Sequence, residues 1–195
     1  MSFGTNTPFG LSSGNSLIAA GSNGKTRVYT VDTTTGNLFT NDPVKIVNGK
    51  IQACAAGDTS IGTCLGISYI SAGGGVNSAE DKTHWLNGTA VKSGSEVTCY
   101  VDTAPYTIFT VQTNASGALI EANVGNTANW AVGAGDKTTG VSNYTLDQAT
   151  LGTAATLNMT IIGRLQTEAN QWGVEYNVVE VLINTHAYKA PTLGS

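Results

Sequence analysis

Gly, Asn, Asp and Pro cut this chain into short runs, and most of those runs alternate β-branched or aromatic residues with polar ones. A helix that buries one face needs roughly ten or more residues at a 3.6-residue period. Only residues 146–151 leave room for a helical turn or two, with Thr145 placed to cap them. The expected fold class is therefore all-β: a single-domain barrel or sandwich of short antiparallel strands. At 195 residues, with 41% hydrophobic residues, the chain has enough apolar material for a real core.

The clearest local signal lies at residues 44–53. Asn48-Gly49 suits the two positive-φ positions of a type I′ turn. That turn sets Ile46 opposite Ile51, Val44 opposite Ala53 and Lys45 opposite Gln52, so one face is apolar and the other polar. A second hairpin is expected around Ser93-Gly94-Ser95, with Lys92 across from Glu96 and Val91 across from Val97. Strand patterns also occupy 27–31, 60–70, 106–113, 118–122 and 130–132, with a turn at 32–37. Leu157, Met159 and Ile161 alternate with polar residues. From Trp172 the apolar phase runs through Val174, Tyr176 and Val178, then slips by one residue to Val179, Val181 and Ile183, the pattern a β-bulge in one long strand produces.

Residues 1–24 are small, polar and Gly-rich, with Phe3, Pro8, Phe9 and Leu11 as the apolar anchors before Leu17. This segment is read as an N-terminal arm, either a loose leader or an extended arm that orders on a partner, ahead of an all-β domain at 25–195. Those four residues are the candidate partner contacts. The start lacks the basic and apolar regions of a secretory signal, and no run approaches the roughly 20 apolar residues of a membrane span. Residence in a cytoplasm is the expectation. Cys99 alternates with Val97 and Val101 and should point into a core. A disulfide between Cys54 and Cys64 stays open, while a reducing compartment favours three free thiols.

Charged residues are only 11% of the chain, against roughly 25% in ordinary soluble domains. A neutral surface rich in Thr, Asn, Ser and Gly suits a protein that lies against other protein. The net charge of −4 and the scattered basic residues exclude a nucleic-acid stripe.

Motif matches lack the context their chemistry needs. Residues 19–26, ending in Gly24-Lys25-Thr26, resemble a phosphate loop with Ala in the first position, but a strand pattern follows where a helix is required. Gly10-Leu11-Ser12-Ser13-Gly14 matches the nucleophile-elbow pattern, yet only His84 and His186 exist as bases, and neither has recognisable surroundings. Any two of Asp58, Asp102, Asp136, Glu121 and Glu175 could flank a cleft as in a glycosidase, but that depends on a distance between carboxylates that a sequence does not give, and solvated turn and strand-face charges are the expectation; no metal-ligand spacing occurs. No catalytic residue, metal or cofactor is expected. Trp85, Trp130 and Trp172 would serve a glycan only if their rings were exposed.

In the second half, residues 106–113, 134–142, 155–164 and 177–186 follow one another in an order that resembles small structural proteins of tailed bacteriophages. These segments carry Tyr106-Thr-Ile-Phe, Gly135-Asp136-Lys-Thr, Met159-Thr-Ile-Ile-Gly163 and Val178-Val-Glu-Val-Leu-Ile183. The resemblance, over about residues 60–188, is to head decoration (capsid cement) proteins. It implies a virion protein on the capsid surface, made in the host cytoplasm. Its partners would be the major capsid protein and copies of itself, most simply as a trimer, with no nucleic acid and no membrane. A tail-fibre or lectin-like module is the alternative.

Overall fold

The computed structural model describes residues 4–16, 25–73, 79–114 and 117–189. The chain is all-β, with several antiparallel sheets packed together. The first sheet has five strands: β1 (Ser12–Ser16), β10 (Thr107–Gln112), β15 (Val178–Ile183), β14 (Met159–Arg164) and β11 (Thr127–Ala128), side by side in that order. The second runs β2 (Thr26–Thr30), β9 (Thr98–Asp102), β6 (Gly62–Tyr69), β4 (Pro43–Val47) and β5 (Lys50–Ala53), with β7 (Glu80–Lys82) added on β6. Two short ribbons complete the elements, β3 (Leu38–Phe39) with β8 (His84–Trp85) and β12 (Trp130–Ala131) with β13 (Thr145–Leu146). A lone bridge from Val31 to Ile51 touches β5 to the end of β2. No ladder extends from it, so the sheet does not close and the architecture is that of a sandwich.

Each large sheet has its own hydrophobic cluster. Phe109, Val111, Trp130, Leu146, Met159, Ile161, Val179, Val181 and Ile183 fill the first, and Val44, Ile51, Cys64, Ile67, Trp85, Cys99 and Val101 fill the second. Alternation explains most of this: in β9, Cys99 and Val101 point inward while Tyr100 points out. Residues 54–61 stitch the two halves together. Tyr144 Oη donates to the Cys54 carbonyl, and Trp130 Nε1 donates to Ala55 at 2.8 Å. Asn158, fully buried, accepts from Gly57 N at 2.9 Å and donates to the Asp58 carbonyl at 2.9 Å and Thr185 Oγ1 at 3.0 Å.

The 44–53 hairpin has the expected register throughout, and Asn48 and Gly49 both have positive φ. The second expected hairpin does not form. Lys92 O accepts from Ser95 N in a turn, but Val91 bridges to Ser71 and Val97 O accepts from Val31 N, so the two flanks leave for different partners. Residues 118–120 are irregular and lead into a 3-10 turn at Glu121–Asn123, not a strand. The short helical turn sits at Gln148–Thr150, capped by the Asp147 side chain, while Thr145 belongs to β13. The final strand begins only at Val178. Trp172 to Tyr176 form successive turns with positive φ at Gly173 and Tyr176, so the phase slip marks a strand start, and the bulge falls on β14 between Ile161 and Gly163.

Candidate interaction surface

The first surface to consider is the N-terminal segment. Within the described residues 4–16 it does not extend away from the body. β1 pairs with β10, setting Ser12 opposite Thr110 and Ser13 opposite Phe109. Before it, Thr7 N donates to Gln112 Oε1 at 2.9 Å, and Gln112 Nε2 donates to the Thr5 carbonyl at 3.0 Å. Asn41 then clamps the chain, donating through Nδ2 to Phe9 O at 2.9 Å and accepting Leu11 N on its own carbonyl at 2.9 Å. Gly10 has φ +71, and a Cβ there would overlap Ser142 and the Asn41 carbonyl, so this clamp requires glycine.

Leu11 is consequently 0% exposed in the first core, which corrects its reading as a partner contact: a side chain filling its own core has no surface left to offer. Pro8 and Phe9 are half-buried and keep some accessible surface. Phe3 lies outside the described residues, as do positions 17–24 of the expected arm.

The second surface was not singled out from sequence. On the outer face of the second sheet, Val28 of β2 stands directly opposite Tyr100 of β9, and Tyr100 stands opposite Gly66 of β6. A register shift between Cys64 and Gly66 turns Leu65 outward beside them. Val28, Tyr100 and Leu65 are 57%, 37% and 38% exposed. The outward place of Tyr100, between Cys99 and Val101, was legible, but nothing local says that three separate strands align these residues.

Three of the candidate carboxylates are occupied structurally. Asp102, with its side chain fully buried, is held by Lys25 Nζ at 2.9 Å, Ser13 Oγ at 2.5 Å and Ala104 N at 3.2 Å, tying β1, β2 and β9 together. Asp58 pairs with Lys45 at 2.6 Å, and Asp136 accepts from Thr138 N and Thr139 Oγ1 within its own turn; both carboxyls are held below their ordinary range. Asp58 is lowered by the Lys45 ammonium and the Ala55 amide against the opposing effect of burial. Lys25 and Thr26, the end of the phosphate-loop-like segment, lead into strand β2, and Gly10–Gly14 runs into strand β1 with no helix after it. Among the described residues no group of three or more His, Cys, Asp or Glu could hold a metal, and no helix is long and apolar enough to cross a membrane.

Trp85 is 2% and Trp130 0% exposed, so neither presents a face to a sugar, and Trp172 packs part-buried on the first core. The cavity beside the 32–37 turn measures about 80 Å³, far below a small-molecule site of roughly 300 Å³ or more. No family model, curated protein or solved structure matches this chain.

Proposed function

We propose that this chain is a capsid decoration protein. It binds the outside of a phage head and stabilises contacts between major capsid subunits, acting as a homo-oligomer, most simply a trimer. The observation that carries this reading is the Val28–Tyr100–Leu65 patch on a chain with so few charges. An outward sheet face with apolar and hydroxyl-bearing residues docks on protein without stripping water from many ions. Repetition over a symmetric shell then multiplies weak individual contacts. The resemblance of the second half to phage structural proteins supplies the kind of partner, and Pro8 and Phe9 keep part of their surface exposed.

The test is add-back of purified protein to heads that lack it. Val28→Lys combined with Tyr100→Ser should keep the folded circular-dichroism spectrum and lower head occupancy by at least about tenfold, as expected for residues central to an interface. Unchanged occupancy with the double variant would remove this face from the docking reading.

A further inference from the structure

The second core holds two thiols in contact. Cys64 of β6 and Cys99 of β9 are both 0% exposed, and their sulfurs lie 3.2 Å apart. In register, Cys64 faces Val101 and Cys99 faces Ile67, a diagonal relation across which side chains still reach. The bulge that pushes Leu65 outward leaves Cys64 pointing inward at Cys99. The third cysteine, Cys54, packs in the other cluster, with Phe109 and Trp130.

We infer that Cys64 and Cys99 are a paired oxidation site, joined as an intrachain disulfide when the chain meets a low-molecular-weight disulfide of the glutathione class. The sulfurs need to close by roughly 1.2 Å to reach bonding distance. In the chemistry, the thiolate of one cysteine attacks a sulfur of the small disulfide, forming a mixed disulfide and expelling one small thiolate. The second cysteine thiolate attacks the protein sulfur of that mixed disulfide, forming the Cys64–Cys99 bond and expelling the other. The two cysteine protons end on the two released thiols. The cysteine pair loses two electrons, and the small disulfide gains them.

Burial sets when this happens. Desolvation holds the Cys64 thiol well above its ordinary pKa, and the adjoining Cys99 pushes it the same way. The closed fold is therefore inert, and exchange occurs during folding or when β6 and β9 part. Once formed, the bond closes a loop between residues 35 apart in sequence and restricts the unfolded chain.

The experiment is refolding of the full chain from denaturant with either reduced glutathione alone or a mixture of reduced and oxidised glutathione. Acid quenching, alkylation, intact mass and peptide mapping follow. The expected result in the mixture is one alkyl group per chain where the reduced chain carries three, a Cys64–Cys99 linked peptide, an alkylated Cys54 and a Tm higher by about 5–15 °C. Cys54→Ala should behave alike, and Cys64→Ala/Cys99→Ala should show no glutathione-dependent difference in Tm. Alkylation of Cys64 and Cys99 at all glutathione ratios, a bond involving Cys54, or glutathione retained on one cysteine would each overturn the assignment.

Discussion

Asp42 and His186 are buried groups whose displaced pKa values act on stability in opposite directions. Burial raises the Asp42 carboxyl from its ordinary 3.8 to about 7, against the lowering effect of Ser142 and of the Phe39 amide that Oδ2 accepts; among the described residues Oδ1 has no hydrogen-bond partner. Burial, helped by Lys189, lowers His186 from 6.5 to about 4. The folded state thus holds the Asp42 proton more tightly than the unfolded chain does. Its contribution is full below about pH 4 and is lost as pH rises to about 7. His186 is the reverse: its contribution is full above about pH 6.5 and is lost as pH falls to about 4. Each slope is at most about 1.4 kcal/mol per pH unit, and between pH 4 and 6.5 the two oppose each other. Relative to the native chain, Asp42→Asn should lose stability more steeply on acidification across that window. His186→Asn should lose it more steeply as pH rises. Urea midpoints at half-unit pH steps check both, and parallel curves for all three proteins would contradict the burial argument.

Asn158 offers a second test at this scale. Its side chain makes the three bonds that join residues 57 and 58 to Thr185, so Asn158→Ala removes all three and empties a fully buried position between them. The expected loss is about 3 kcal/mol, measured by denaturant unfolding. A loss below about 1 kcal/mol would show that water replaces these contacts without difficulty.

Elements were legible where their causes are local. The β4–β5 hairpin follows from Asn48-Gly49 and the facing pairs, because turn chemistry and cross-strand packing agree within ten residues. The Ser93-Gly94-Ser95 turn also offers a coherent register, yet Val91 and Val97 pair with Ser71 and Val31, and tertiary pairing overrides the local pattern. Trp172 to Val178 alternates like a strand, but Gly173 and Tyr176 take positive φ and the chain turns. The N-terminal segment failed for the same reason in reverse: its composition reads as loose, and its order comes from β10, about a hundred residues away. If that segment is an integral strand, Leu11→Ala should cost about 3 kcal/mol in the isolated protein. A detachable arm would leave the unfolding midpoint unchanged.

At the scale of the whole molecule, the candidate interaction surface was mostly out of reach of sequence. Leu11 looked like a partner anchor because it stands apart among polar residues, and it is core. Val28, Leu65 and Tyr100 looked ordinary, and they meet on one face only because β2, β9 and β6 are neighbours. Composition bears on this scale only through charge: charged residues are 11% of the chain, so a face of it can meet a partner with few ions to desolvate. The buried indoles of Trp85 and Trp130 deprive a glycan platform of two of its three candidate rings.

The most direct test of the decoration proposal is the copy number of this chain in purified virus particles, by quantitative peptide mass spectrometry against the major capsid protein. The account predicts a stoichiometric ratio, comparable to the shell subunit and scaling with capsomers. A handful of copies per particle, or none, would contradict it.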